Sequence, residues 1–109
     1  MRRLMRENGV RNKRLWITEI GWGSAPPQAN RPLIKGIDGQ RALLEQSFDL
    51  LESKRSSWKL AGLVWYAWRD PGMDFELCLF CSSAGLFDVN GDPKPAWFSY
   101  VQNTGGSPE

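Results

Sequence analysis

The chain of 109 residues contains no histidine. That removes Ser-His-Asp and Cys-His catalysis, and every histidine-ligated metal site, from what it does alone. It has no P-loop and no G-x-G-x-x-G run, so nucleotide binding has no support. The two cysteines, Cys78 and Cys81, form one C-x-x-C, without the second pair a zinc site needs and without the helix a thioredoxin motif opens. A local disulfide stapling a loop and two plain thiols fit that pair equally well. No apolar h-region follows Met1-Arg2-Arg3, so no signal peptide is expected in these residues, and they assign no location. The longest apolar run, Leu60 to Trp68, is too short to cross a bilayer. No metal, no cofactor and no membrane partner is expected.

The formal net charge of +2 is unevenly spread. Arg2, Arg3, Arg6, Arg11, Lys13 and Arg14 face Glu7 alone in the first fourteen residues, while the remainder carries eight basic and eleven acidic side chains. A basic end can serve nucleic acid or an anionic membrane. The simpler expectation is the solvated face of a helix with Leu4 and Met5 on its other side, and no nucleic acid partner. Six Trp, five Phe and two Tyr make a heavy aromatic load for this length. Such residues fill a core, or supply flat platforms for sugar rings.

Hydrophobic patterning predicts helix, strand, helix, strand, helix. Residues 1–9 read as a helix ending at Asn8-Gly9. Leu15 to Glu19 reads as a strand, with Leu15, Ile17 and Glu19 on one side and Trp16, Thr18 and Ile20 on the other. Apolar residues on both sides predict a parallel strand covered on both faces, with Trp16, Trp58 and Trp97 packing against helices. Gly21 to Gly36 is a long loop. Asp38 is a plausible N-cap for a helix to about Lys54, with Leu43, Leu44, Phe48 and Leu51 at helical spacing. Leu60 to Trp68 is the second strand, placing Gly62, Val64, Tyr66 and Trp68 on one side. A loop from Arg69 to Gly85, a turn at Asn90-Gly91 and a helix opening at Pro95 follow. The tail from Thr104 to Glu109 is expected to fray.

What remains for chemistry is a carboxylate beside aromatics. Glu19 ends a strand and is followed at once by the glycine-broken loop Gly21-Trp22-Gly23. Glycoside hydrolysis fits that inventory, since it needs carboxyl groups and apolar platforms for sugar faces.

Leu15-Trp16-Ile17-Thr18-Glu19-Ile20-Gly21-Trp22 resembles the seventh strand of the clan-A glycoside hydrolases, the retaining (β/α)-barrel glycosidases. Val64-Trp65-Tyr66-Ala67-Trp68-Arg69-Asp70-Pro71 resembles their eighth strand. Ser83-Ala84-Gly85-Leu86-Phe87-Asp88 and Gly91-Asp92-Pro93-Lys94-Pro95-Ala96-Trp97 resemble the run into the last helix. The resemblance implies an α/β chain that is the C-terminal fragment of a (β/α)8 TIM barrel, its last two βα units, spanning residues 1–109. It implies an O-glycosyl hydrolase acting on β-linked glycans or glycosides, with Glu19 as nucleophile and Trp68 as floor of the sugar subsite. Trp22, Tyr66 and Arg69 are expected along the cleft.

The glutamate acid/base that such an enzyme sets about 5–5.5 Å from its nucleophile would lie in an Asn-Glu pair, and this chain has no such dipeptide. Asp70 reads as part of a structural turn, and Asp74 and Glu76 lie in a variable loop. Alone, the chain is therefore expected to be inactive. The competing expectation is a non-catalytic module that self-associates through open sheet edges or binds sugar without turnover.

Overall fold

A computed structural model describes residues 1–73 and 78–107. Asp74, Glu76 and the last two residues of the tail lie outside them. Helix α1 spans Arg2–Glu7, strand β1 Leu15–Ile20, helix α2 Gly36–Trp58, strand β2 Leu60–Trp65 and helix α3 Pro95–Thr104, with a 3-10 turn at Cys81–Ser83. The predicted order of elements holds, and the boundaries shift. Helix α2 begins at Gly36, after Lys35, so Asp38 is not its cap but sits in its first turn. There its carboxylate still meets the positive end of the helix dipole. The helix runs on to Trp58 and is stopped by Lys59 in the left-handed region, φ 50°. Strand β2 ends at Trp65, so Tyr66 to Trp68 belong to the loop and not to the strand. Helix α3 opens on Pro95 as expected, the ring presetting φ where the missing N–H costs nothing.

The expected C-terminal piece of a TIM barrel is overturned. The described residues form one sheet of two parallel strands, β1 beside β2, within a small α/β unit. Two strands of six residues cannot curve to closure, which takes eight. One sheet side also stays open, against the expectation of a strand covered on both faces. Trp16 is 63% and Val64 50% exposed. Trp16 lies on Gly62, where an added Cβ would come within 2.5 Å of the indole, and not against a helix. Trp58, at the end of α2, is likewise exposed, and only Trp97 packs as expected.

The core lies between α2, α3 and β2. Leu44, Trp65, Leu86 and Ala96 are buried there, with Phe48, Phe87, Trp97 and Tyr100 packed around them. Phe48 of α2 meets Tyr100 of α3 edge to face at 5.9 Å. The radius of gyration is 15.6 Å, against about 13 Å for a compact domain of this length. The exposed area is 7493 Å², against about 6,100 Å² for a typical folded monomer of this mass. The excess matches an open sheet face and an α1 that buries no residue.

Cys78 and Cys81 are joined in a disulfide, which settles the two-way reading of that pair. The Asn90-Gly91 turn also forms. The Asp88 carboxylate accepts hydrogen bonds from the N–H groups of Asn90, Gly91 and Asp92 at 2.8–2.9 Å. These bonds, that of Asp92 first, hold its pKa below the ordinary 3.8. A depressed carboxylate strengthens the fold above its unfolded pKa and ceases to do so as pH falls through the folded one. Protection of the Asn90, Gly91 and Asp92 amides, measured by NMR relative to their intrinsic exchange rates, is therefore expected to hold above pH ~4 and to fall as the carboxylate is protonated below it.

Candidate functional site

Glu19 stands at the carboxyl end of β1, and the sheet register re-aims it. Ile17 pairs with Leu63 and Ile20 with Trp65, so β1 carries one residue more than β2 between those pairs. The extra residue makes a bulge at Thr18 and Glu19. Bulges of this kind occur beside active sites, where they turn a side chain out of strict alternation. Both Thr18 and Glu19 are exposed, although alternation would have put them on opposite sides. An ion pair of Glu19 with Lys13 or Arg14 does not form; Arg14 instead donates to the Leu60 carbonyl at 3.1 Å, at the opposite end of the strands.

The chain leaves β1 and β2 at the same end of the sheet, because the strands are parallel. Tyr66 N–H donates to the Ile20 carbonyl at 2.8 Å. Gly21 then lies flat against the Tyr66 carbonyl, which any Cβ at residue 21 would strike. Glu19 and the Tyr66 to Arg69 segment thus share one rim, with backbones about 4.8 Å apart where the strands end.

The other expected site residues divide. Trp68 is 63% exposed. Its ring is braced by Phe87 at 5.0 Å and by Trp97, edge to face, at 5.3 Å. A ring held on one side and open on the other is what sugar stacking requires. It borders a groove of about 260 Å³ with Val64, Ala67 and Tyr100. Tyr66 is half-buried and rests edge-on against Phe80 at 6.1 Å. Trp22 turns toward the core, 6.0 Å from Trp65. The Arg69 guanidinium is engaged by the Val89 carbonyl. Glu19, Tyr66 and Trp68 therefore lie at the same end of the sheet, whereas Trp22 is taken up by the core and the Arg69 guanidinium by a loop carbonyl. Neither that groove nor the larger one of about 340 Å³ between α2 and β2 includes Glu19.

What fixes the rim was not visible in the sequence. Lys94, almost fully buried, pairs with Asp70 at 2.6 Å, and its Nζ also donates to Ser24 Oγ at 2.8 Å and to the Ser83 carbonyl at 3.2 Å. Asp70 accepts from Gly85 N–H at 2.8 Å with its other oxygen. Asp70 is thus a structural residue, as its turn suggested, and both its oxygens are engaged. The fully buried Gln40 of α2 directs its Nε2 at the carbonyls of Trp22, Ser83, Ala84 and Gly85, 2.9–3.4 Å away. Those acceptors set the amide's orientation. Its Oε1, with Ser83 Oγ, is left buried without a protein partner among the described residues. Ser24, Gln40, Asp70, Ser83 and Lys94 together tie the loop after Glu19 to the loop carrying Trp68.

Among the described residues, no three His, Cys, Asp or Glu side chains are grouped to hold a metal ion, and no helix is long and apolar enough to cross a membrane. Compared with known proteins, the chain matches no protein-family model and no curated protein.

Proposed function

We propose that this chain carries the nucleophile half of a retaining O-glycoside hydrolase acting on β-linked glycans or glycosides. The observation that carries the reading is the shared sheet end: a bulged, exposed Glu19 near the end of β1, and a loop leaving the same end of β2 that carries Trp68, braced on one side and exposed. In this reading the Glu19 carboxylate attacks the anomeric carbon of a sugar seated on Trp68. The bond to the departing oxygen breaks with its electron pair, and a glycosyl ester forms on Glu19. Water then cleaves that ester. A natural alcohol leaving group needs a proton from a second carboxyl group. Asp70 does not supply it, being engaged by Lys94 and Gly85. Losing acid catalysis forfeits a factor of about 10²–10⁴, so the purified chain is expected to leave natural glycosides uncleaved.

A substrate whose leaving group departs unprotonated separates the nucleophile from the missing acid. With a dinitrophenyl β-glycoside, release of dinitrophenolate is expected from the native chain and not from Glu19→Gln. Equal release from both proteins would overturn the assignment of Glu19.

A second reading has its own observation. The open sheet face with Trp16 and Val64, and an exposed area well above that of a typical monomer, favour a self-associating module. Concentration-dependent sedimentation abolished by Trp16→Lys would support it. A single monomeric species at all concentrations would remove it.

A further inference from the structure

Nine of the fourteen basic residues lie in two segments, 1–14 and 54–59: Arg2, Arg3, Arg6, Arg11, Lys13, Arg14, Lys54, Arg55 and Lys59. The fold brings these segments together at the amino-terminal ends of both strands. The Arg2 guanidinium, on α1, donates to the carbonyls of Arg11 and Lys13, each at 2.7 Å. Lys59 Nζ reaches Asn12 Oδ1 at 3.2 Å, and Arg14 the Leu60 carbonyl at 3.1 Å. Two carboxylates answer this charge: Glu7 pairs with Arg3 and Glu52 with Arg55, both exposed. Arg6, Arg11, Lys13 and Lys54 have no carboxylate partner among the described residues. The rest of the chain is acidic, with five basic and eleven acidic residues. Charge is thus sorted along the strands, positive at their start, with Glu19 near the other end, about 13 Å from Leu15 along β1.

We propose that this basic end is an anchoring surface for an acidic glycan, one bearing uronate carboxylates or sulfate esters, separate from the Glu19 rim. Concentrated cations that outnumber their carboxylate partners raise the local concentration of a polyanion. Six of the nine are arginines, and Arg6 and Arg11, without a side-chain partner among the described residues, have the planar fork that grips carboxylate and sulfate oxygens in pairs. The one aromatic in the two segments, Trp58, is exposed between Arg55 and Lys59 and offers a sugar face a flat neighbour. A strand of nucleic acid would use a row of aromatics, which these segments lack. Preference for a glycan rests on the hydrolase reading above. The location of the surface does not.

Affinity electrophoresis or calorimetry of the full chain tests it, with polygalacturonate as probe and its fully methyl-esterified form as the uncharged match. Binding is expected for the acid polymer, not for the ester, and should weaken steeply with added salt. Lys13→Glu/Lys54→Glu should cost roughly tenfold in affinity, whereas Arg31→Glu/Lys35→Glu, the same change in net charge elsewhere, should cost little. Equal losses in the two variants, equal binding of the ester, or tighter binding of a single-stranded oligonucleotide of matched charge would overturn the proposal. Glu19→Gln should bind polygalacturonate as the native chain does. A failed nucleophile and a failed anchor therefore give different results.

Discussion

Lys94→Ala is expected to lower folding stability by about 3–5 kcal/mol, the usual cost of removing one member of a buried ion pair. Lys94 and Asp70 are both nearly enclosed, at 7% and 12% side-chain exposure. Deleting the ammonium leaves the Asp70 carboxyl group desolvated, with Gly85 N–H as its one remaining partner among the described residues. It also removes the proton donated to Ser24 Oγ and one of the donors to the Ser83 carbonyl, which Ser24 still bonds directly. Whole domains are stable by only about 5–15 kcal/mol, and one with an open sheet face belongs near the bottom of that range. Thermal unfolding followed by circular dichroism should show either a melting temperature lowered by more than ~10 °C or no cooperative melt. Lys94→Met with Asp70→Leu removes both charges and should recover much of the loss, leaving Gly85 N–H as the chief deficit. A Lys94→Ala protein that melts like the native one would mean the pair does not hold the two loops together.

Gln40→Leu is the second large effect, with an expected loss of about 2–5 kcal/mol, because buried carbonyls stripped of their donors cost about 1–3 kcal/mol each. The four carbonyls under Gln40 are not equally dependent on it. Ser83 O keeps donors from Ser24 and Lys94, and Ala84 O keeps Ala67 N–H and the Trp65 indole. Trp22 O and Gly85 O have Gln40 as their only donor among the described residues. Leucine fills the space and offers neither of them a proton. The neighbouring Arg41 is exposed, so Arg41→Leu should stay within about 0.5 kcal/mol of the native chain. Urea unfolding midpoints compare the two. Equal midpoints for Gln40→Leu and Arg41→Leu would contradict the role given to Gln40.

Residues with local consequences were readable from sequence. The period-2 and period-3.6 patterns gave the order of elements, and Pro95, Asn8-Gly9 and Asn90-Gly91 marked a start, a stop and a turn. Trp68 was singled out through the family resemblance alone, and its exposure is a finding of the structure. The errors were of another kind. Leu60 to Trp68 reads as one apolar strand, yet pairing with β1 ends at Trp65, and only a partner strand can set that limit. Apolar residues on both sides of β1 predicted two covered faces, but pattern cannot say whether the covering layer exists, and Trp16 stands open. The barrel expectation failed with it. Glu19 was found at its strand end, while the bulge that turns it outward depends on register and leaves no local mark. Lys94 lies between two prolines, and nothing in its local sequence marks it as buried. Its burial follows from Asp70, Ser24 and Ser83, which lie 11 to 70 residues away in sequence.

The most direct test of the central assignment, that Glu19 is a glycosyl-accepting nucleophile on an exposed rim, is peptide-mapped mass spectrometry. The chain would be incubated with a 2-deoxy-2-fluoro β-glycoside bearing a dinitrophenyl leaving group. The fluorine slows hydrolysis of the ester, so the adduct persists without any acid/base partner. The expected result is one added fluoroglycosyl group on the peptide containing Glu19, absent from Glu19→Gln and diminished in Trp68→Ala. No adduct, or an adduct on another carboxylate that survives Glu19→Gln, would contradict the assignment.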